Sequence, residues 1–196
     1  MFRRTLMLPA VVALVLAIVG SASAAVVRVR VEGKSSTIFG ATQPRASATT
    51  ALGALESAST AGEFYYHVQV TSFGPYIDQI GRYPAAGSAG WVFKVNGQSP
   101  PVGADQVTLK AGDVVLWYWA EFGESGGPPT LELARVGTGC YRVVARSDAG
   151  SAVAVSATLR VDGRRVPMEG GRACPGPHRG LVRATAPGAV RSNALK

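Results

Sequence analysis

The sequence has few of the residues that build metal and nucleotide sites. It holds only two cysteines and two histidines, too few and too widely spaced for a zinc site. It also lacks the glycine patterns that hold phosphates, since neither G-x-x-x-x-G-K-[ST] nor G-x-G-x-x-G after a strand occurs. These absences argue against zinc-dependent and nucleotide-dependent functions, and the residues call for no metal or cofactor.

The N-terminal segment is typical of a secretory signal peptide. Arg3 and Arg4 precede an apolar run over residues 6–19, and Ala22-Ser23-Ala24 supplies small residues for cleavage. The run is shorter than the roughly 20 residues of a membrane-spanning helix. We therefore predict a signal peptide over residues 1–24, with an uncleaved anchor as the alternative. The mature protein is expected to be extracellular, secreted or loosely surface-associated, with no stable membrane span.

The two halves of the remaining chain differ in charge. Residues 25–126 carry seven Lys and Arg against eight Asp and Glu, net −1, whereas residues 127–196 carry eleven against four, net +7. The break coincides with a Gly- and Pro-rich linker, residues 123–130, and predicts domains at 25–122 and 131–196. The arginines of the second domain are spread singly along predicted strands. Solvated strand faces are therefore favoured over a nucleic-acid or phospholipid surface.

Patterns in the first domain predict strands and one helix. Residues 25–32 alternate between valine and charged side chains, which predicts a half-buried strand with one solvated face. A helix is then predicted after a cap at Ser47 or Thr49, with apolar positions at Ala51, Leu52, Leu55 and Ala58. Further strands are predicted at residues 64–72, 91–95, 107–109 and 114–119. One mixed sheet with one helix is an α+β domain, and its connections suit a β-grasp-like arrangement.

The second domain is predicted to be all-β. Strand signals recur at residues 131–134, 140–146, 152–161, 165–168 and 181–185, and no stretch has helical periodicity. Short strands at this spacing suggest a small immunoglobulin-like sandwich. In an exported chain an even pair of cysteines most often bonds to itself, so Cys140 and Cys174 are expected to form a disulfide.

The densest aromatic stretch also carries a family resemblance. This stretch, residues 90–119, contains all three tryptophans. The segments that carry the resemblance are Gly90-Trp91-Val92-Phe93-Lys94-Val95-Asn96-Gly97, Pro101-Val102-Gly103-Ala104-Asp105 and Gly112-Asp113-Val114-Val115. Over about residues 27–122 the chain resembles the domain of unknown function 4430, which is similar to the C-terminal β-domain of the vitamin B12 carriers transcobalamin and intrinsic factor. The resemblance implies a β-grasp-like fold and an extracytoplasmic module. In those carriers cobalamin lies between this domain and a large helical barrel, and no cobalamin contact is assigned here. The second domain resembles bacterial immunoglobulin-like surface modules generically.

The aromatic side chains of this stretch are the candidate ligand site. Together with Tyr65 and Tyr76 they could form a stacking platform for a sugar or a flat ring, or they could belong to the core and the domain interface. Strand alternation places Tyr118 on one face and Trp117 and Trp119 on the other, and one row is expected to be exposed or covered by the second domain. The candidate residues are Trp91, Phe93, Trp117, Tyr118 and Trp119.

One motif is also compatible with a secreted serine hydrolase. Gly123-Glu124-Ser125-Gly126-Gly127 fits the G-x-S-x-G nucleophile pattern, and His67, Asp105 and Ser125 follow the trypsin-like order. However, the segment has the composition of a linker, two prolines follow it where a helix would be needed, and the chain is too short for two barrels. Catalysis by Ser125 is therefore not expected.

The sequence thus predicts a secreted or cell-surface binding module without catalytic activity. Its partner would be a small ligand or a surface molecule, with nucleic acid not expected. The alternative is a carrier of a corrinoid (cobalamin-type) or another small molecule.

Overall fold

The computed structural model describes residues 23–124 and 126–196. The first 22 residues of the predicted signal peptide lie outside this part of the chain, and so does Ser125. The N-terminal half, residues 23–122, contains one helix and two sheets. Its elements are β1 (Ala25–Glu32), β2 (Thr37–Phe39), β3 (Arg45–Ala48), α1 (Ala51–Gly62), β4 (Tyr66–Thr71), β5 (Gly74–Ile80), β6 (Tyr83–Pro84), β7 (Ala89–Val95) and β8 (Val114–Glu121).

Strand β1 lies at the centre of the main sheet. On one side it pairs antiparallel with β2 and β3, and on the other it pairs parallel with β8. Strand β7 then pairs antiparallel with β8, which gives the order β2-β1-β8-β7 with β3 beside β1. Strands β4, β5 and β6 form a separate antiparallel sheet. The predicted mixed sheet with one helix is therefore present.

Helix α1 covers one face of the main sheet. Its cap is Thr50, whose Oγ1 accepts a hydrogen bond from the Gly53 backbone N–H at 3.1 Å, so the predicted caps Ser47 and Thr49 are wrong by one to three residues. The helix buries a face of small and aliphatic side chains against the valines of β1, because only short side chains let the helix approach the sheet closely. The residues of this face are Ala51, Ala54, Leu55 and Ala58.

One predicted strand of the N-terminal half is absent, and a tight turn lies before it. Residues 107–109 do not form a strand, since only a single bridge joins Thr108 to Thr50. The Asn96-Gly97 turn is present, with φ of 51° and 81° and two backbone hydrogen bonds between Val95 and Gln98 at 2.8 and 3.1 Å. Such positive φ angles are those of a type I′ turn. The chain nevertheless leaves the sheet after this turn and returns only at β8.

The C-terminal half, residues 130–196, is built from short strands without a helix in its described residues. They form two four-stranded sheets around a shared apolar core. A disulfide joins Cys140 to Cys174, as predicted. The predicted strand at 152–161 is split into two because only its ends pair with neighbours. The strands are β9 (Thr130–Gly137), β10 (Cys140–Arg146), β11 (Ala152–Val153), β12 (Thr158–Val161), β13 (Arg164–Pro167), β14 (Arg172–Ala173), β15 (Val182–Thr185) and β16 (Ala194–Leu195).

The C-terminal half packs on the outer face of the main sheet. The prediction of a solvated face on β1 is wrong for Arg30 and Glu32, which are 2% and 1% exposed. Their burial is tolerated because Arg183 and Arg191, predicted to be solvated, reach across and form salt bridges with Glu32. The row Leu116, Tyr118 and Ala120 of β8 lies under the same cover and packs with Val190.

Candidate functional site

A cleft of about 390 Å³ brings most of the predicted aromatic residues together. It lies beside β7 and β8, between the start of α1, strand β5 and the loop at residues 99–104, and the loop after β10 borders it from the C-terminal half. We call this cavity the aromatic cleft. The side chains used below to describe it are Tyr76, Trp91, Phe93, Ser99, Trp117, Tyr118, Phe122 and Asp148.

The register of two neighbouring strands sets the aromatic positions. Phe93 on β7 lies directly opposite Trp117 on β8, and the two rings stack with centroids 5.1 Å apart and an interplanar angle of 29°. Cross-strand aromatic pairs stabilise a sheet beyond the area that they bury. The Trp117 indole N–H also donates to the Ala51 carbonyl at 3.1 Å, which fixes the ring against α1. Trp117 is therefore held by Phe93 of the neighbouring strand and by the start of α1.

The predicted residues differ in how much of them a ligand could reach. Trp91 and Trp117 are only 3% and 2% exposed and Tyr118 is fully buried, so these three belong to the core and present only an edge or face to the cleft. The accessible surface comes from half-buried Phe93 and from Tyr76 and Phe122, which are 42% and 38% exposed. Exposed aromatic rings beside a concave apolar floor are the usual composition of a small-ligand pocket.

Trp119 does not line the aromatic cleft. It packs edge-on against Trp91, with centroids 5.8 Å apart, and against Tyr83 at 6.2 Å. Its indole N–H is buried and has no hydrogen-bond partner among the described residues. It borders a different hollow, together with Lys34 and Arg191. The structure therefore brings four of the five predicted aromatic residues to one site and places Trp119 elsewhere.

The Asp148 carboxylate, from the C-terminal half, lies at the edge of the aromatic cleft. Asp148 accepts a hydrogen bond from the Tyr118 hydroxyl at 3.2 Å and lies 3.7 Å from the Lys94 ammonium. Lys94 is fully buried and donates to the carbonyls of Arg146 and Ser147 at 3.1 and 2.7 Å. Burial lowers the pKa of Lys94, and Asp148 offsets part of that effect. This network holds the two halves together at the edge of the cleft.

Sequence reasoning missed Phe122 and Asp148. Phe122 follows β8 directly before the predicted linker at residues 123–130, and Asp148 stands in an ordinary Ser-Asp-Ala-Gly turn. Only the packing of the two halves brings Asp148 next to Tyr118, 30 residues away. No local pattern could have paired them.

Replacing Tyr118 with phenylalanine is expected to flatten the loss of stability at alkaline pH. Burial, together with the negative charge of Asp148, raises the pKa of Tyr118 well above its ordinary value. Above pH ~10 an unfolded tyrosine loses its proton while folded Tyr118 keeps it, so stability present below this pH is lost as pH rises. Urea unfolding at pH 9 and 11 should show a drop smaller by about 1 kcal/mol in Tyr118→Phe than in the wild type. Tyr65→Phe, at a 59% exposed tyrosine, is the matched control. Equal drops in Tyr118→Phe and the wild type would contradict the assignment.

The described residues do not bring His67 and Asp105 together, as the hydrolase alternative requires. The His67 ring nitrogen Nδ1 lies 2.7 Å from Asp78 Oδ1, so its carboxylate partner is Asp78 and not Asp105. Ser125 lies outside the described residues.

Within residues 23–124 and 126–196, no three or more Cys, His, Asp and Glu side chains are grouped closely enough to hold a metal ion. The same part of the chain contains no helix of the length and apolarity needed to cross a membrane.

Comparisons with known proteins find one family match, in the N-terminal half of the chain. Residues 48–121 match the family model described as "Domain of unknown function (DUF4430)", which covers α1 to β8 and the core of the aromatic cleft. A crystal structure from Ruminococcus gnavus ATCC 29149, described as a "putative metal binding protein", shares 17% identity with a TM-score of 0.37 over 50% of this chain and 97% of its own. That likeness is too distant to carry an argument. No curated protein matches the chain in sequence. Residues 48–121 are therefore similar to the DUF4430 family, and the match covers less than half of the chain.

Proposed function

We propose that this protein is a non-catalytic binding module, secreted or held at the cell surface, that takes a small, flat and largely apolar ligand in the aromatic cleft. The observation that carries the proposal is the convergence of Phe93, Tyr76 and Phe122 above a floor formed by Trp91 and Trp117. A flat ring would stack on these side chains and bury apolar surface on both of its faces.

The composition of the cleft favours a flat apolar ring over a sugar. Ser99 and Asp148 are the only non-aromatic polar side chains among its described lining residues. A sugar presents hydroxyl groups around its ring and needs many hydrogen-bond partners, because buried polar groups without partners cost free energy. Two polar groups at one end suit a ligand with a single polar substituent. Asp148 accepts hydrogen bonds, so that substituent would be a donor.

The proposed fold classes rest on topology. The order β2-β1-β8-β7, with a parallel central pair and α1 across one face, supports a β-grasp-like first domain. Two sheets with a common apolar core support an immunoglobulin-like sandwich for the second. Small modules of both classes place their function in surface sites that the fold itself does not specify.

An oxidising compartment is supported by the disulfide. Cys140 and Cys174 are the only cysteines in the sequence, and they are bonded to each other. Disulfides of this kind form and persist mainly in secreted or cell-surface proteins. The signal-like segment at residues 1–24 supports export independently of the structure.

A corrinoid carrier is the second candidate function. It is favoured by the DUF4430 domain, which resembles the C-terminal domain of cobalamin carriers, and by the apolar aromatic cleft. The volume of about 390 Å³ is near the lower end for small-molecule sites, which run from about 300 to 1,000 Å³. The cleft would therefore cover only one edge of a corrin ring, and a second protein surface would have to cover the rest.

A calorimetric titration of three probes tests the proposal. The probes are the planar dye 9-aminoacridine, whose amino group is a hydrogen-bond donor, cobalamin and cellotetraose. The proposal expects saturable binding of the dye, weakened about tenfold by Tyr76→Ala or Phe122→Ala because each removes a stacking ring. Tyr65→Ala removes an exposed aromatic side chain outside the cleft and is the matched control. Cobalamin binding with the same variant dependence would favour the carrier function. Binding of the tetraose alone, or of no probe, would overturn the proposal.

A further inference from the structure

A second cavity, of about 460 Å³, lies between the two halves of the protein. Its N-terminal wall is the outer face of the main sheet, where β1 contributes Arg28 and Arg30. Its C-terminal wall is the facing β9–β10 pair, where β10 contributes Arg142 and Arg146. We call this cavity the arginine cleft. It shares no lining residue with the aromatic cleft, so it would be an independent site.

The described lining of the arginine cleft carries a large excess of positive charge. Its four arginines face one carboxylate, Glu132. That carboxylate is already engaged, since Glu132 Oε2 lies 2.8 Å from Arg146 Nε. Arg28 and Arg142 form no salt bridge with any residue of the described chain. Like charges held around one cavity repel each other and attract anions into it.

The deepest of these arginines has a donor without an acceptor. The Arg30 side chain is 2% exposed, and its Nε–H has no hydrogen-bond partner among the described residues. Its Nη1 donates to the Arg191 carbonyl and lies 3.5 Å from Glu32 Oε1, an oxygen that also binds Arg183. Burial lowers the pKa of Arg30 to about 10 because desolvation outweighs the attraction of Glu32. A buried guanidinium donor left unpaired costs free energy that an added acceptor would recover.

We propose that the arginine cleft binds a small oxyanion, a carboxylate or phosphate group of a small molecule, between Arg28, Arg30 and Arg142. Guanidinium groups present parallel N–H donors that match the paired oxygens of both anion types. The site lies between two packed sheets, which suits a small anion and leaves little room for a polymer or a membrane. The anion would also bridge the N-terminal and C-terminal halves, because each contributes arginines to it.

Calorimetric titration of the whole protein with pyrophosphate and with citrate, at constant ionic strength, tests this site. The expected result is saturable binding of one anion per chain, with pyrophosphate or citrate preferred according to whether the site suits phosphate or carboxylate. Arg28→Gln and Arg142→Gln should each weaken binding about tenfold, since each removes charge-assisted hydrogen bonds. Both side chains are exposed, so these variants should remain folded.

Arg160→Gln is the matched control because it removes the same charge from an exposed position on β12, outside the cleft. It should leave the dissociation constant of the preferred anion unchanged. Two outcomes would overturn the proposal. One is the absence of saturable binding of either anion up to about 1 mM. The other is equal weakening by Arg160→Gln and Arg28→Gln, which would mean that the anion responds only to net charge.

Discussion

Replacing Glu32 with glutamine is expected to lower the free energy of unfolding by about 3–5 kcal/mol. Glu32 is 1% exposed and is the only carboxylate that forms salt bridges with Arg30, Arg183 and Arg191 in the described chain. Removing its charge would leave three guanidinium groups close together, one of them buried, with no anion between them. A buried charge that loses its partner is far more costly than the intact pair is stabilising.

The same substitution should also weaken the attachment of the two halves. Arg183 and Arg191 belong to the C-terminal half, whereas Glu32 ends β1 in the N-terminal half. Burial lowers the pKa of Arg183, and Glu32 is the group that opposes this effect. Without Glu32 the partly buried guanidinium groups of Arg183 and Arg191 have a lower free energy in water than at the interface. We therefore expect the halves to separate at lower denaturant than in the wild type.

Urea unfolding followed by two probes measures both effects. All three tryptophans lie in the N-terminal half, so fluorescence reports on that half while circular dichroism reports on the whole chain. In Glu32→Gln both midpoints should fall, and the two curves should no longer coincide. Glu169→Gln, at an exposed glutamate without a salt bridge to any described residue, is the matched control. A loss below about 1 kcal/mol in Glu32→Gln would contradict a stabilising role for the cluster.

Removing the disulfide is expected to cost about 3–4 kcal/mol, mostly within the C-terminal half. Cys140 and Cys174 are 34 residues apart, and their bond restricts the unfolded chain over that loop. Cys140 begins β10, the strand that pairs with β9, β11 and β14, so the bond fixes the centre of one sheet. A half of about 65 residues buries only a small core, so its stability without the bond is low.

The double variant Cys140→Ser/Cys174→Ser tests this effect, and reduction of the wild type provides an independent comparison. It should lower the midpoint observed by circular dichroism more than the midpoint observed by tryptophan fluorescence, because the tryptophans lie in the other half. Reduced and alkylated wild-type protein should behave in the same way. A variant with an unchanged circular dichroism midpoint would show that the strand pairing is stable without the bond.

Local patterns were sufficient to predict most of the secondary structure. The alternation on β8 correctly separated Tyr118 from Trp117, because side chains of a strand alternate between its faces. The same rule separated the valines of β1 from Arg28, Arg30 and Glu32. Alternation does not predict whether another part of the chain covers a face of the strand. The charged face of β1 was predicted to be solvated because the arginines that neutralise Glu32 are about 150 residues away in the sequence.

The candidate site was likewise predicted only in part from the sequence. Trp91, Phe93, Trp117 and Tyr118 were found because they are dense in one stretch and share two paired strands. Trp119 was included for the same reason, although it borders a different hollow and packs on Tyr83. Asp148 could not be found, since it is brought to the cleft only by the packing of the second half. Aromatic density therefore located the region, and tertiary packing determined which rings border the cavity.

The most direct test of the proposed binding module is ¹⁹F NMR of the protein labelled with 5-fluorotryptophan during a titration with 9-aminoacridine. The chain has three tryptophans, so three resonances are expected, and Trp→Phe variants assign them. Trp91 and Trp117 line the aromatic cleft and Trp119 does not. A ligand in the cleft should shift the Trp91 and Trp117 resonances saturably and move the Trp119 resonance much less. Shifts confined to Trp119, or the absence of any saturable shift, would contradict a ligand site in the aromatic cleft.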